Sequence, residues 1–282
     1  MKIFDVHVHI QPWWMMPHEV YDRMTVGHAD FDTFVGYARD PDAFLHRLDN
    51  EGIERVALIN YVSPDIMGFT AEVNEFISNY CKADPARLIP CGSVNPRFTA
   101  DPAADINRLV QDLGIRMLKL HPPHMLFYPD DYQRGLRPLA FLYEQAQRLK
   151  IPVMIHTGTS IFPNARSKFG NPMGVDDVAI DFPELTIILA HGGRPIWMNE
   201  SFFLVRRHKN VYLDISGIPP KSLLDYFPRL ETIADKTLFG SDWPGPMIPG
   251  MRANADAVAA LPLSDQTKSR ILFDNAARLF PA

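Results

Sequence analysis

Apolar positions along the chain fall into two alternating patterns. Short runs rich in β-branched residues recur at Lys2–His7, Arg55–Ile59, Leu88–Gly92, Ile115–Leu120, Pro152–His156, Leu185–His191, Val211–Asp214 and Thr237–Ser241. Each is followed by a segment whose apolar residues keep helical spacing. Runs such as Thr186-Ile187-Ile188-Leu189-Ala190 are apolar without alternation, as expected of parallel strands buried on both faces. Between them, Asp101–Leu113 reads as a helix with Pro102 suited to its first position, and Gly135–Leu149 as another, ending at basic Lys150 before Pro152. Eight strand-then-helix units predict an α/β protein with one closed (β/α)8 TIM barrel over residues 1–282.

Two segments break this rhythm: residues 11–40, rich in Trp, Met, Pro and His, and residues 122–133, with Pro122-Pro123 and Phe127-Tyr128-Pro129. Both are predicted to be loops. Each follows the carboxyl end of a strand, where barrel enzymes build their sites, so both are expected to cover a substrate. Trp13, Trp14, Met15, Met16 and Phe127 are costly to leave exposed without a partner, which favours a covering role over structural padding.

Composition narrows the function classes. The 282 residues are 46% hydrophobic and 22% charged, as in soluble globular proteins. With 28 Lys and Arg against 33 Asp and Glu, the formal charge of -5 gives no positive field to hold a phosphate backbone, so nucleic acid is not an expected partner. Cys81 and Cys91 are too few for a disulfide framework and fit a reducing cytoplasm, where they pack as small apolar residues. The start, Met1 to His7, shows no apolar leader, and no stretch approaches the roughly 18 uncharged apolar residues of a membrane span. The expectation is a cytoplasmic protein that begins near Met1.

The candidate chemistry sits at strand ends. In Phe4-Asp5-Val6-His7-Val8-His9 the two histidines are two apart on a strand and share a face. Two neutral imidazoles there make half of a divalent metal site, and Asp5, of the same parity, is a candidate to orient one ring. His156, His191 and Asp242 close strands five, six and eight, so five potential ligands meet at one rim. On strand four, Lys119 and His121 share a face. Lys119 reads as a cation for a substrate carbonyl or carboxylate, as a carboxylated bridge between two metals, or as a packed lysine paired with Asp242 or Asp214. His121 reads as a substrate contact or a hydrogen-bonded rim histidine. Arg194 is placed to hold a carboxylate, with a helix salt bridge as the alternative. His124, His18 and His28 lie in the expected cover loops. Asp214 is a candidate acceptor or a helix cap. The serine-elbow, dinucleotide and phosphate-loop glycine patterns are missing.

With these residues in view, the chain resembles the amidohydrolase superfamily. It is most similar to the amidohydrolase-related branch of aminocarboxymuconate-semialdehyde decarboxylase, resorcylate-type decarboxylases and dicarboxylate lactonases. The markers span nearly the whole chain: Asp5-Val6-His7-Val8-His9, Lys119-Leu120-His121-Pro122, His156-Thr157-Gly158, His191-Gly192-Gly193, Tyr212 to Ser216, Phe239-Gly240-Ser241-Asp242-Trp243-Pro244 and Asn275 to Leu279. The resemblance implies a (β/α)8 barrel with one divalent ion, usually zinc with manganese as the alternative, held by His7, His9, His156 and Asp242. It also implies His191 beside the metal as acid/base. Lysine-bridged binuclear centres belong to other branches.

The expected activity is metal-dependent hydrolysis of a small organic acid, ester, lactone or amide by a metal-activated water. Non-oxidative decarboxylation or hydration of a small carboxylic acid on the same site is the alternative. Asp242 is expected as ligand and proton acceptor, and His191 as proton donor. Lys119, His121 or Arg194 is expected to stabilise substrate charge, with Trp243 and His124 as further substrate contacts. A TatD-like nuclease and a non-catalytic metal- or acid-binding barrel are the remote alternatives. A homodimer or larger homo-oligomer is the expected assembly.

Overall fold

The computed structural model describes residues 1–26, 31–245 and 248–281; His28 lies outside them. Eight parallel strands run in sequence order around the molecule: β1 (Phe4–Val8), β2 (Arg55–Ile59), β3 (Leu88–Gly92), β4 (Met117–Leu120), β5 (Val153–His156), β6 (Ile187–Ala190), β7 (Val211–Asp214) and β8 (Thr237–Leu238). The ring is closed through the segment after β8. Val6 donates its amide to Phe239 O at 2.9 Å, Asp242 to His7 O at 2.9 Å and His9 to Trp243 O at 2.7 Å. The expected (β/α)8 barrel is the observed fold.

Both strand faces are buried because one packs into the barrel and the other meets the helices, so the apolar runs carry no alternation. The helices have local causes as well. Asp101 and Asp40 accept from the amides of Ala104 and Ala43, and Pro102 and Pro41 open the two helices where a missing N–H costs nothing.

The two segments expected as loops are largely helical. Residues 11–40 carry a 3-10 turn at Trp13–Met15 and helices at His18–Thr25 and Phe31–Arg39. Val20 and Met24, four apart, face inward, and Trp13 is buried edge-on against Phe31 at 5.6 Å. The density of Pro, Trp and Met hides this spacing in the sequence. Trp14 stays 51% exposed, with Arg39 over its ring. In the second segment Pro122–Met125 is a helical turn, Asp131–Arg134 is a 3-10 turn and Phe127 is buried. The Pro122-Pro123 pair starts that turn rather than breaking one. Both segments reach the same cavity, which Met24 and His124 help to line.

Candidate metal centre

The carboxyl ends of the strands surround a cavity of about 260 Å³, lined by His7, His9, Lys119, His191, Arg194 and Asp242, among others. Asp242 and His191 reach it from backbone in the left-handed region, with φ of 68° and 65°. Such strain in residues other than glycine persists where surrounding structure imposes it, commonly at functional sites. Gly240 leaves the room: a Cβ there would collide with the Asp214 carboxylate and with His7.

His7 is fully buried, and its Nδ1 meets Asp214 Oδ2 at 2.6 Å. Ser216 donates its amide to Asp214 Oδ1 at 2.8 Å and its hydroxyl to Oδ2 at 2.7 Å. Asp214 is therefore an acceptor on both oxygens, His7 carries its proton on Nδ1, and the Nε2 lone pair faces the cavity. There it lies 3.6 Å from Asp242 Oδ1, which is 3.2 Å from His9 Nε2. One donor atom each from His7, His9 and Asp242 falls within a 4.8 Å cluster.

The protonation states suit a cation. Burial, reinforced by the charge of Lys119, pushes the His7 imidazolium well below the usual histidine range, so the ring is neutral. Burial alone would raise the Asp242 carboxyl, but the hydrogen bond with His9 and the nearby Arg194 guanidinium work against it and hold it below the usual carboxylate range. The neutral His7 imidazole backed by Asp214, the His9 imidazole and the Asp242 carboxylate form a donor set that fits zinc or manganese.

The ring-orienting acceptor is Asp214, not Asp5. Asp5 Oδ1 instead accepts the amides of His7 at 3.0 Å and Ser241 at 2.9 Å, tying the first strand to the segment after β8. The expected fourth ligand, His156, lies outside the three-donor cluster. Its ring stacks on His121 at 3.8 Å and stands edge-on to His191 at 4.6 Å, and its buried Nδ1 has no partner among the described residues.

His191 sits 4.7 Å, ring to ring, from His7. Its Nδ1 lies 3.1 Å from Ser216 O and 3.0 Å from Ser216 Oγ, whose own proton is spent on Asp214. Nδ1 must therefore donate, which leaves the Nε2 lone pair available. Lys119 is almost fully buried with Nζ 3.5 Å from His7 Nε2, and burial pulls its ammonium down to about 8 against the opposing pull of Asp214. Arg194 donates to Asp242 Oδ2 at 3.3 Å, so it serves the site rather than a helix salt bridge.

His121 and His124 stack at 3.5 Å, and burial drives both imidazoles toward the neutral form, His124 to about 3. Trp243 does not line the cavity. It is 2% exposed, stacked on Phe44 at 6.0 Å with Arg47 over its ring at 4.8 Å, and so packs behind the site. His18 is a surface residue, 2.9 Å from Asp22. Tyr61, Ser160 and Ser216 are contributors that sequence reasoning missed. Tyr61 and Ser216 each stand two residues past a strand end and so keep the inward parity; Ser160 carries no such signal.

Residues 4–282 match the Amidohydro_2 family of amidohydrolases. The chain belongs to the amidohydrolase family. It is a metal-dependent enzyme of that family, hydrolase or carboxy-lyase. No curated protein sequence matches it. Among solved structures, the amidohydrolase is similar to an uncharacterised TIM-barrel protein from Bordetella bronchiseptica, with TM-score 0.73 and 24% identity over 99% of this chain and 98% of that one. It also resembles a 5-carboxyvanillate decarboxylase from Novosphingobium aromaticivorans complexed with manganese and 4-hydroxy-3-methoxy-5-nitrobenzoic acid, with TM-score 0.70 and 16% identity over 100% and 96% of the two chains. A third is 4-oxalomesaconate hydratase from Rhodopseudomonas palustris, with TM-score 0.66 and 19% identity over 99% and 95%. At these identities the likeness establishes the shared barrel. Among the described residues no helix is long and apolar enough to cross a membrane.

Proposed function

We propose that this amidohydrolase is a carboxy-lyase that removes carbon dioxide from a small, flat organic acid, using one zinc or manganese ion. The observation that carries this reading is the pairing of two cations, Lys119 and Arg194, with the His7, His9 and Asp242 donors in one cavity of about 260 Å³. Neutral amides and lactones call for no such pair, whereas a carboxylate does. The decarboxylase and hydratase names of the structural neighbours point the same way, which moves lyase chemistry ahead of the hydrolysis expected from sequence.

His7, His9 and Asp242 would hold the ion, with His156 as the further imidazole within reach of that wall. When bound, a divalent ion supplies Lewis acidity to a substrate hydroxyl or carbonyl oxygen beside the carboxylate. Asp214 fixes the His7 ring through Nδ1. Arg194 and Lys119 orient the carboxylate. The carbon that loses carbon dioxide keeps the electron pair of the broken bond, and His191, which takes a proton from water at its free Nε2 before the acid binds, delivers it there, the water's hydroxide leaving to solvent. The stacked rings of His121 and His156 offer a flat wall and exclude water. Two buried, unpaired cysteines agree with a reducing cytoplasm.

The test is to load the purified protein with zinc or manganese and supply hydroxybenzoates, oxo-dicarboxylates and lactones. Carbon dioxide and ring-opened products are measured in parallel. Carbon dioxide release from an acid is the expected result, and lactone opening without it overturns the lyase reading in favour of hydrolysis.

A further inference from the structure

The wall opposite the metal donors contains a second hydrogen-bonded chain that the mechanism above does not use. His124 Nδ1 lies 3.0 Å from the Tyr61 hydroxyl, and its Nε2 lies 2.7 Å from Ser160 Oγ. All three residues line the cavity. His124 is held by the Pro122–Met125 turn, stacked on His121 and met edge-on by Phe162 at 5.4 Å. Two arrangements of the protons are possible, and they differ in which hydroxyl is left without an acceptor.

If Ser160 donated to Nε2, then Nδ1–H would donate to the tyrosine oxygen. The proton of Tyr61, a residue only 4% exposed, would then have no acceptor among the described residues. In the reverse arrangement Tyr61 donates to Nδ1 and Nε2–H donates to Ser160 Oγ. Ser160 Oγ also accepts the Phe162 amide at 3.3 Å, so both of its lone pairs are engaged and its own proton is released. Ser160 is only half-buried, at the cavity edge, where that proton is hydrated until a ligand arrives. The second arrangement avoids a buried unsatisfied donor and is therefore preferred.

We infer that Ser160 is a specificity-determining residue, whose hydroxyl is presented to the cavity strictly as a donor and recognises an uncharged oxygen acceptor on the substrate, such as an ether or carbonyl, across the His121 and His156 stack from the metal donors. Tyr61 and His124 are positioning residues that set its direction. This rests on the reading of the cavity as an acid site, because the carboxylate end of the ligand is taken to lie at Lys119 and Arg194. A ligand that offers only a donor or a methyl group here meets a hydroxyl with nothing to give its proton to, which is the basis of the selection.

Two measurements on the zinc-loaded protein test the inference. The first is the tautomer of His124, read by nitrogen-15 NMR of histidine-labelled protein and assigned with His124→Gln. Nε2–H is expected, and Nδ1–H overturns the inference. The second is calorimetric binding of 2-hydroxybenzoates that carry a methoxy group at ring position 3, 4 or 5, each against its ethyl isostere. One methoxy member is expected to bind about tenfold tighter than its isostere. Ser160→Ala should bring it down to the ethyl level, and Ser160→Thr should restore the lead. No methoxy preference at any position, or a preference that survives in Ser160→Ala, overturns the inference. If no benzoate binds while His124 carries its proton on Nε2, the acid-substrate reading fails and the donor direction of Ser160 is upheld.

Discussion

Two groups of histidines face one another across the cavity, and they differ in what their ring nitrogens meet. On the β1 and β8 side, His7 has Asp214 at 2.6 Å behind it, and His9 has Asp242 at 3.2 Å before it. On the β4 and β5 side, His121, His124 and His156 stack on one another, and their polar neighbours are hydroxyls and a backbone carbonyl. Burial makes His7 and the three stacked rings prefer the neutral form. A carboxylate behind a ring fixes its tautomer and strengthens the lone pair on its far side, which prepares it for a cation. His121 and His124, stacked without carboxylates, instead provide shape and hydrogen-bond direction. The same residue type thus does two jobs, and at His7 the carboxylate behind the ring sets which.

The sharpest way to break this contrast is to remove one ring from each side. His7→Ala combined with His9→Ala should lose the bound ion entirely, from about one equivalent to none by elemental analysis, because two of the three clustered donors are gone. His121→Phe keeps the stack and should retain the ion. Equal loss in both proteins would show that the two sides are not distinct. A smaller effect is expected from Asp214→Asn, which leaves every clustered donor in place but weakens the hold on His7 Nδ1. Metal affinity, measured by competition with a chelator, should fall about 10- to 100-fold. An unchanged affinity would mean that Asp214 serves only to hold Ser216.

Legibility in the sequence followed the same divide. β2, β3 and β7 coincide with the apolar runs that predicted them, because strands buried on both faces leave an unbroken hydrophobic signature. His7, His9 and Asp242 were readable because strand parity and a strand end place them. Asp5 and Asp214 were harder to rank. Both are inward-facing acids near the rim, and only the way neighbouring strands meet decides that one holds backbone amides and the other holds a ring. Trp243 is expected as a substrate contact, yet the turn after β8 sends its ring back toward Phe44. The helices within residues 11–40 were hidden because aromatic and proline content masks a spacing carried by few residues. Ser160 and Tyr61 come from separate segments, and no local pattern joins them to His124.

The smallest predicted effect concerns the stacked side and is one of stability rather than binding. His124 is neutral in the fold, with its titration pushed from 6.5 to about 3, first by burial and then by the charge of Lys119. The unfolded chain takes up this proton near 6.5 and the folded one does not, so the histidine favours folding fully above 6.5 and loses that contribution as pH falls toward 3. Well below 6.5 the cost is about 1.4 kcal/mol for each pH unit. Protonation would also occupy the Nδ1 lone pair that accepts the Tyr61 hydroxyl, so no local rearrangement relieves it without losing a hydrogen bond. His124→Gln removes the titrating group and keeps an amide able to hydrogen-bond. Denaturant unfolding of both proteins at pH 7.5 and at two acid points should therefore give a shallower decline for the variant, by about that slope. Parallel declines would mean that this side of the cavity admits the proton, and the contrast between the two histidine groups would then rest on geometry alone.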